Sequence, residues 1–142
     1  MKKRAAHRRA VVLVDHGSRE AAANHQLSAV GAALARRLPG RRVETAHLSI
    51  APPSVPDAIA ACVAAGVREI VVMPYFLGPG RHASHDVPRL AREARVRHPG
   101  VRIRVAAALG VHAGIVATVV ARVRETARPG RATRSASRSR SR

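Results

Sequence analysis

At 142 residues the chain can bury one hydrophobic core, and no apolar run reaches membrane-spanning length. A formal charge of +18, from 26 Lys/Arg against 8 Asp/Glu, points to an anionic partner. One Tyr, one Phe and no Trp leave no platform on which bases could stack, and a single cysteine excludes an internal disulfide.

The charge is uneven. Residues 1–10 hold five Lys/Arg and residues 128–142 hold six, with no acid in either, which leaves +7 on residues 11–127. Both ends read as disordered basic arms, over 1–9 and, rich in Arg and Ser, over 128–142, around one domain at 10–127. The opening MKKRAAHRR has the charge of a secretory leader, but only five apolar residues follow before Asp15, too few for its hydrophobic region. A reducing cytoplasm fits the lone Cys62, which sits between Ile59 and Val63 as a buried thiol.

In chain order, a strand runs from about Ala10 to Asp15. The helix after it places Leu27, Val30, Leu34 and Leu38 on one face. A second strand spans roughly Arg42 to Ile50. Ser54 then caps a helix striped by Val55, Ile59, Cys62 and Val63, with Asp57 three residues beyond the cap. Glu69 to Tyr75 is apolar on both faces, as a central parallel strand should be. The loop FLGPGRHAS leads to a helix capped by Ser84 or Asp86, with Val87, Leu90, Ala91 and Ala94 inward. Val101, Ile103 and Val105 alternate with Arg102 and Arg104, the signature of an edge strand. Ile115, Val116, Val119, Val120 and Val123 define a last helix.

Strand–helix alternation repeated four times specifies an α/β fold, a four-stranded parallel sheet with helices on both faces. Right-handed crossovers and the commonest arrangement give the order 2-1-3-4. Ligands then bind beyond the strand ends, between strands 1 and 3. Asp15-His16-Gly17-Ser18-Arg19 arrives there from one side, and the loop Tyr75 to His82 from the other. His16 and His82 thus converge from distant parts of the chain, while His112 and His85 are lesser candidates near strand ends. Two neutral imidazoles bind a divalent metal or shuttle protons. Without CxxC or HExxH they hold a metal weakly, which suits capture and release rather than a permanent cofactor.

VLVDHGSRE, the SVPDA helix start and above all PYFLGPGRHASHDVP resemble one family over about residues 11–115, the late LGVH included. It is that of the sirohydrochlorin cobalto- and ferrochelatases, the class II chelatases of cobalamin and sirohaem synthesis, in their short single-domain form. The resemblance implies a chelatase half-domain whose chains pair as a homodimer, with cobalt, iron or nickel as co-substrate and no resident cofactor. It implies that His16 and His82 are the catalytic, metal-binding residues and sirohydrochlorin, a tetrapyrrole with eight carboxylates, the substrate. Ser18, Arg19 and Arg81 are the candidates to meet those acids.

One departure stands out. Where the family reads A-H-M-E-L-A-E-P-S, this chain has AHLSIAPPS, with Ser49 and Pro52 in place of carboxylates. Strand alternation puts His47 on the face of Ser49, making it the candidate auxiliary base. Three other readings stay open. A relative weakened by the lost acids binds metal or tetrapyrrole only. The RSASRSRSR tail gives salt-dependent affinity for nucleic acid. A histidine phosphatase is disfavoured by Asp15, whose charge repels phosphate.

Overall fold

The computed structural model describes residues 7–127. Four β-branched runs pair in parallel in the order β2-β1-β3-β4: β1 (Arg9–Asp15), β2 (Arg42–His47), β3 (Glu69–Pro74) and β4 (Arg102–Val105). Between them lie α1 (Ala21–Arg37), α2 (Val55–Ala64) and α3 (Val87–Arg97), the last entered through a π-helical turn at His82–Asp86. Sheet order, parallel pairing and the edge position of β4 are those expected. The expectation for residues 1–9 and 128–142 falls mostly outside the described residues. Within it, Arg9 already belongs to β1, and the Arg8 carbonyl accepts the Arg68 and Glu69 amides.

Strand alternation sorts the core into two layers. Val12, Val14, Ile70, Val72 and Ile103 point to α2 and α3, where they meet Ile59, Cys62, Val87 and Ala91. Each such Val or Ile removed from water stabilises by roughly 1.5–3 kcal/mol. Val11 and Leu13 face the opposite way, toward α1 and its Leu27. Gly31 is the reason α1 can lie so close to β2, because a Cβ there would come within 2.8 Å of Thr45 Cγ2. α1 packs on this face over β1 and β2, while Val71 and Met73 are half-buried and Arg102 and Arg104 are exposed.

Two element ends differ from expectation. β2 stops at His47 rather than running on to Ile50, because the His47 amide donates to the Pro53 carbonyl (2.9 Å) and closes residues 48–53 into a loop. α3 has no side-chain cap from Ser84 or Asp86. Backbone from Arg81 onward is already helical, and the Asp86 carboxylate is taken by a histidine described below. The Ser54 cap on α2 is as expected, its hydroxyl accepting the Asp57 amide at 3.2 Å.

Burial, with Glu44 adding to it, pushes the Cys62 thiol from its ordinary 9.0 up to about 11. The folded chain should therefore resist iodoacetamide at pH 8 and react only once unfolded. The sign of its stability effect follows. Between pH 9 and 11 the unfolded thiol ionises while the folded one stays protonated, so this contribution is complete below pH 9 and lost above it. Urea titrations of the parent chain and Cys62→Ala across that range test this: the parent should lose more stability than the variant.

Residues up to Gly110 form one compact unit, and those from Val111 a second. The second consists of α4 (Ala113–Thr126), whose start is capped by His112, Nδ1 accepting the Gly114 amide at 3.0 Å. The apolar residues that define this helix are mostly exposed, at Val116, Val119, Val120 and Val123. Among the described residues of this unit α4 is the one helix, and such a face needs a second element to be buried. No helix among the described residues is long and apolar enough to cross a membrane.

Candidate functional site

Register builds the site. β1 pairs Asp15 with His47 of β2 on one side and Val14 with Pro74 of β3 on the other. The Tyr75 amide continues the ladder to the Val14 carbonyl at 2.7 Å. Residues just past the ends of β1 and β3 are therefore neighbours. The His16 and His82 rings lie edge to face with centroids 4.1 Å apart, and Phe76 packs against His16 at 5.0 Å. Both imidazoles are exposed. The loop carrying Phe76 is held from behind by two hydrogen bonds, from the Leu109 amide to the Phe76 carbonyl and from the Gly110 amide to that of Leu77.

Two carboxylate–imidazole pairs flank the histidines, one in the π-helical turn and one at the ends of β1 and β2. His82 Nδ1 lies 2.7 Å from Asp86 Oδ2 across one helical turn. A carboxylate there holds the proton on Nδ1 and leaves Nε2 with its lone pair outward, the arrangement that usually supports a metal-binding histidine. Asp15 Oδ1 accepts the Gly17 amide at 2.9 Å and faces His47 Nδ1 at 2.5 Å. His47 is the candidate auxiliary base. It is buried, only 4 % exposed, and tied to Asp15 rather than open beside Ser49. Its place is to anchor the His16 turn. Neither aspartate stood out as a partner in the sequence, although the i,i+4 spacing of H-A-S-H-D was a signal for Asp86.

Ser49 lies beside His16. Its amide donates to the His16 carbonyl at 3.0 Å, and its hydroxyl reaches the same oxygen at 3.3 Å. Among the described residues no group of three or more His, Cys, Asp or Glu is placed to hold a metal. The Ser18 hydroxyl is engaged in its own turn, accepting the Glu20 amide at 3.0 Å, while Asn24 clamps the Ser18 backbone. Arg19 and Arg81 are exposed on the two sides of the histidines' loops.

Gly17 is required by this packing. It sits at φ +84°, and a Cβ on it would fall 2.0 Å from the Ser49 carbonyl oxygen. Gly17→Ala should cost about 3 kcal/mol of unfolding free energy, since it adds a left-handed backbone penalty to a clash with main chain that cannot swing away. A urea midpoint unchanged from the parent would contradict this packing.

The CbiX family model matches residues 10–126. The chain belongs to the CbiX family. Among its relatives, the chloroplastic sirohydrochlorin ferrochelatase of Arabidopsis thaliana is 37% identical over 102 residues, which are 72% of this chain and 45% of that protein. The sirohydrochlorin cobaltochelatase of Methanothermobacter thermautotrophicus is 35% identical over 80 residues, 56% of this chain and 55% of the relative. The sirohydrochlorin chelatase SirB of Bacillus subtilis subspecies spizizenii, solved with cobalt, superposes with a TM-score of 0.78 at 28% identity, covering 83% of this chain and 50% of that one. The chain thus spans about half the length of the curated relatives it matches.

Proposed function

We propose that this chain inserts a divalent metal, cobalt or iron, into sirohydrochlorin. The observation that carries the reading is the convergence of His16 and His82 at the carboxyl end of a CbiX-family sheet. Both imidazoles hold the incoming ion at the crevice mouth. With only two protein ligands the ion keeps exchangeable positions, so ring nitrogens can replace water and then imidazole one at a time. As the metal enters, two pyrrole N–H protons leave, and water or a released imidazole accepts them. Holding the ion over the ring face supplies the proximity that the uncatalysed reaction lacks. Exposed Ile50 and Leu77, on the loops after β2 and β3, offer apolar surface to the macrocycle face, and the +7 body attracts its carboxylates. No resident cofactor takes part, and a reducing, cytoplasmic setting suits the single buried thiol.

Two copies pair in this reading. Relatives of twice the length and the exposed valine stripe of α4 support it. Sedimentation should give a dimer mass. The RSASRSRSR tail lies outside the described residues, and any affinity for nucleic acid would reside there.

The test is direct. Purified chain with sirohydrochlorin and Co²⁺ or Fe²⁺ should speed the change in macrocycle absorption well above the uncatalysed rate. A second reading, a carrier that binds without inserting, draws on the absent carboxylates at Ser49 and Pro52. Tight binding with no acceleration for any metal would select it.

A further inference from the structure

Beside the His82–Asp86 pair lies an open groove of about 850 Å³. Its polar lining is Arg81, Ser84, His85, Asp86, Arg89 and Arg92. We infer that this groove seats carboxylates on the rim of the tetrapyrrole, with Arg81 and Arg92 as the groups that receive them. The assignment rests on the functional reading above and names where the substrate's charge is held.

Three guanidiniums face one carboxylate in the lining, and that carboxylate, Asp86, is already engaged by His82. Arg89 is paired with Glu93 at 2.9 Å, whereas among the described residues no carboxylate lies within ion-pair distance of Arg81 or Arg92. The groove thus presents two uncommitted guanidiniums, and these prefer planar, two-oxygen acceptors. Placement agrees with the chemistry. Asp86 at the end of the π-helical turn is followed at three-residue spacing by Arg89 and Arg92 of α3, so this side of the lining rises about 9 Å along the helix axis from the carboxylate that His82 engages. A ring centred over His16 and His82 brings its rim acids over this stretch. Exposed Ser84 adds a hydroxyl donor at the near end. Inorganic phosphate shares the anionic chemistry but not the ring, so the two are separable.

The experiment measures dissociation constants without metal, by quenching of macrocycle fluorescence, for the parent, the Arg81→Gln/Arg92→Gln double variant and an Arg36→Gln control on α1. Sirohydrochlorin should bind the double variant about tenfold more weakly, with a shallower salt dependence, while the control matches the parent. The octamethyl ester of the same macrocycle, which keeps the ring and loses the charges, should not distinguish the three proteins. Co²⁺ affinity should be unchanged in the double variant. An unaltered sirohydrochlorin constant in that variant overturns the groove assignment alone, and so does inorganic phosphate competing at the macrocycle's own concentration. No sirohydrochlorin binding by the parent overturns the functional reading, and the groove assignment with it.

Discussion

His82→Ala should lower the rate of metal insertion on the order of 100-fold while shifting unfolding free energy by less than about 0.5 kcal/mol. The two expectations come from the same fact. His82 is exposed and contributes nothing to the core, yet in the proposed function its imidazole is one of the two that hold the ion. His16→Ala should behave alike, and the double variant should be little worse than either single one, because a two-ligand site fails once one ligand is gone. Asp86→Asn makes a graded test. It keeps an acceptor for Nδ1–H but removes the negative charge behind the ring, so Co²⁺ affinity should fall about tenfold with the fold intact. A His82→Ala chain that inserts metal at the parent rate would show that the imidazole pair is incidental to the chemistry.

Ser49→Glu should do the opposite and raise Co²⁺ affinity on the order of 100-fold, since changes even to the outer partners of metal ligands shift affinity 10–100-fold. Position 49 is exposed and its backbone is bonded to the His16 carbonyl, so a longer acidic side chain can extend past the hydroxyl toward the two imidazoles without disturbing the core. The carboxylate would be a ligand added to the two imidazoles, and a proton acceptor beside the ring. Tighter binding should appear in calorimetry first. If insertion also speeds up, the serine limits the natural chain. If insertion slows while binding tightens, the site works by holding its metal loosely. An affinity equal to the parent's would mean that position 49 does not look into the metal site.

The sheet was legible because its information is local. Val11–Val14, Val71–Met73 and the Val101/Ile103/Val105 alternation each declare a strand and its exposure, and right-handed crossovers then leave few orders to choose from. The meeting of His16 and His82 followed from that order, since residues just past the ends of β1 and β3 must adjoin. The burial of His47 was not legible, for a physical reason. Alternation holds only while a strand continues, and the Pro53 carbonyl ends β2 at His47, so Ser49 turns outward and His47 stays inside. Asp15 and Asp86 were visible as residues but not as partners, because a carboxylate's choice between capping a helix and bonding an imidazole depends on distances of a few tenths of an ångström. The α4 residues were read as a helix, and they form one. What covers it is not encoded within its own fourteen residues.

The account rests on two imidazoles, and no more, holding the metal before it is handed on. X-ray absorption at the cobalt edge, on the chain loaded with one equivalent of Co²⁺ in the absence of tetrapyrrole, counts those ligands directly. Two imidazole shells, with the remaining positions filled by light oxygen donors, is the expected result, falling to one shell in His82→Ala. A spectrum with no imidazole scattering, or one unchanged by His82→Ala, would contradict it.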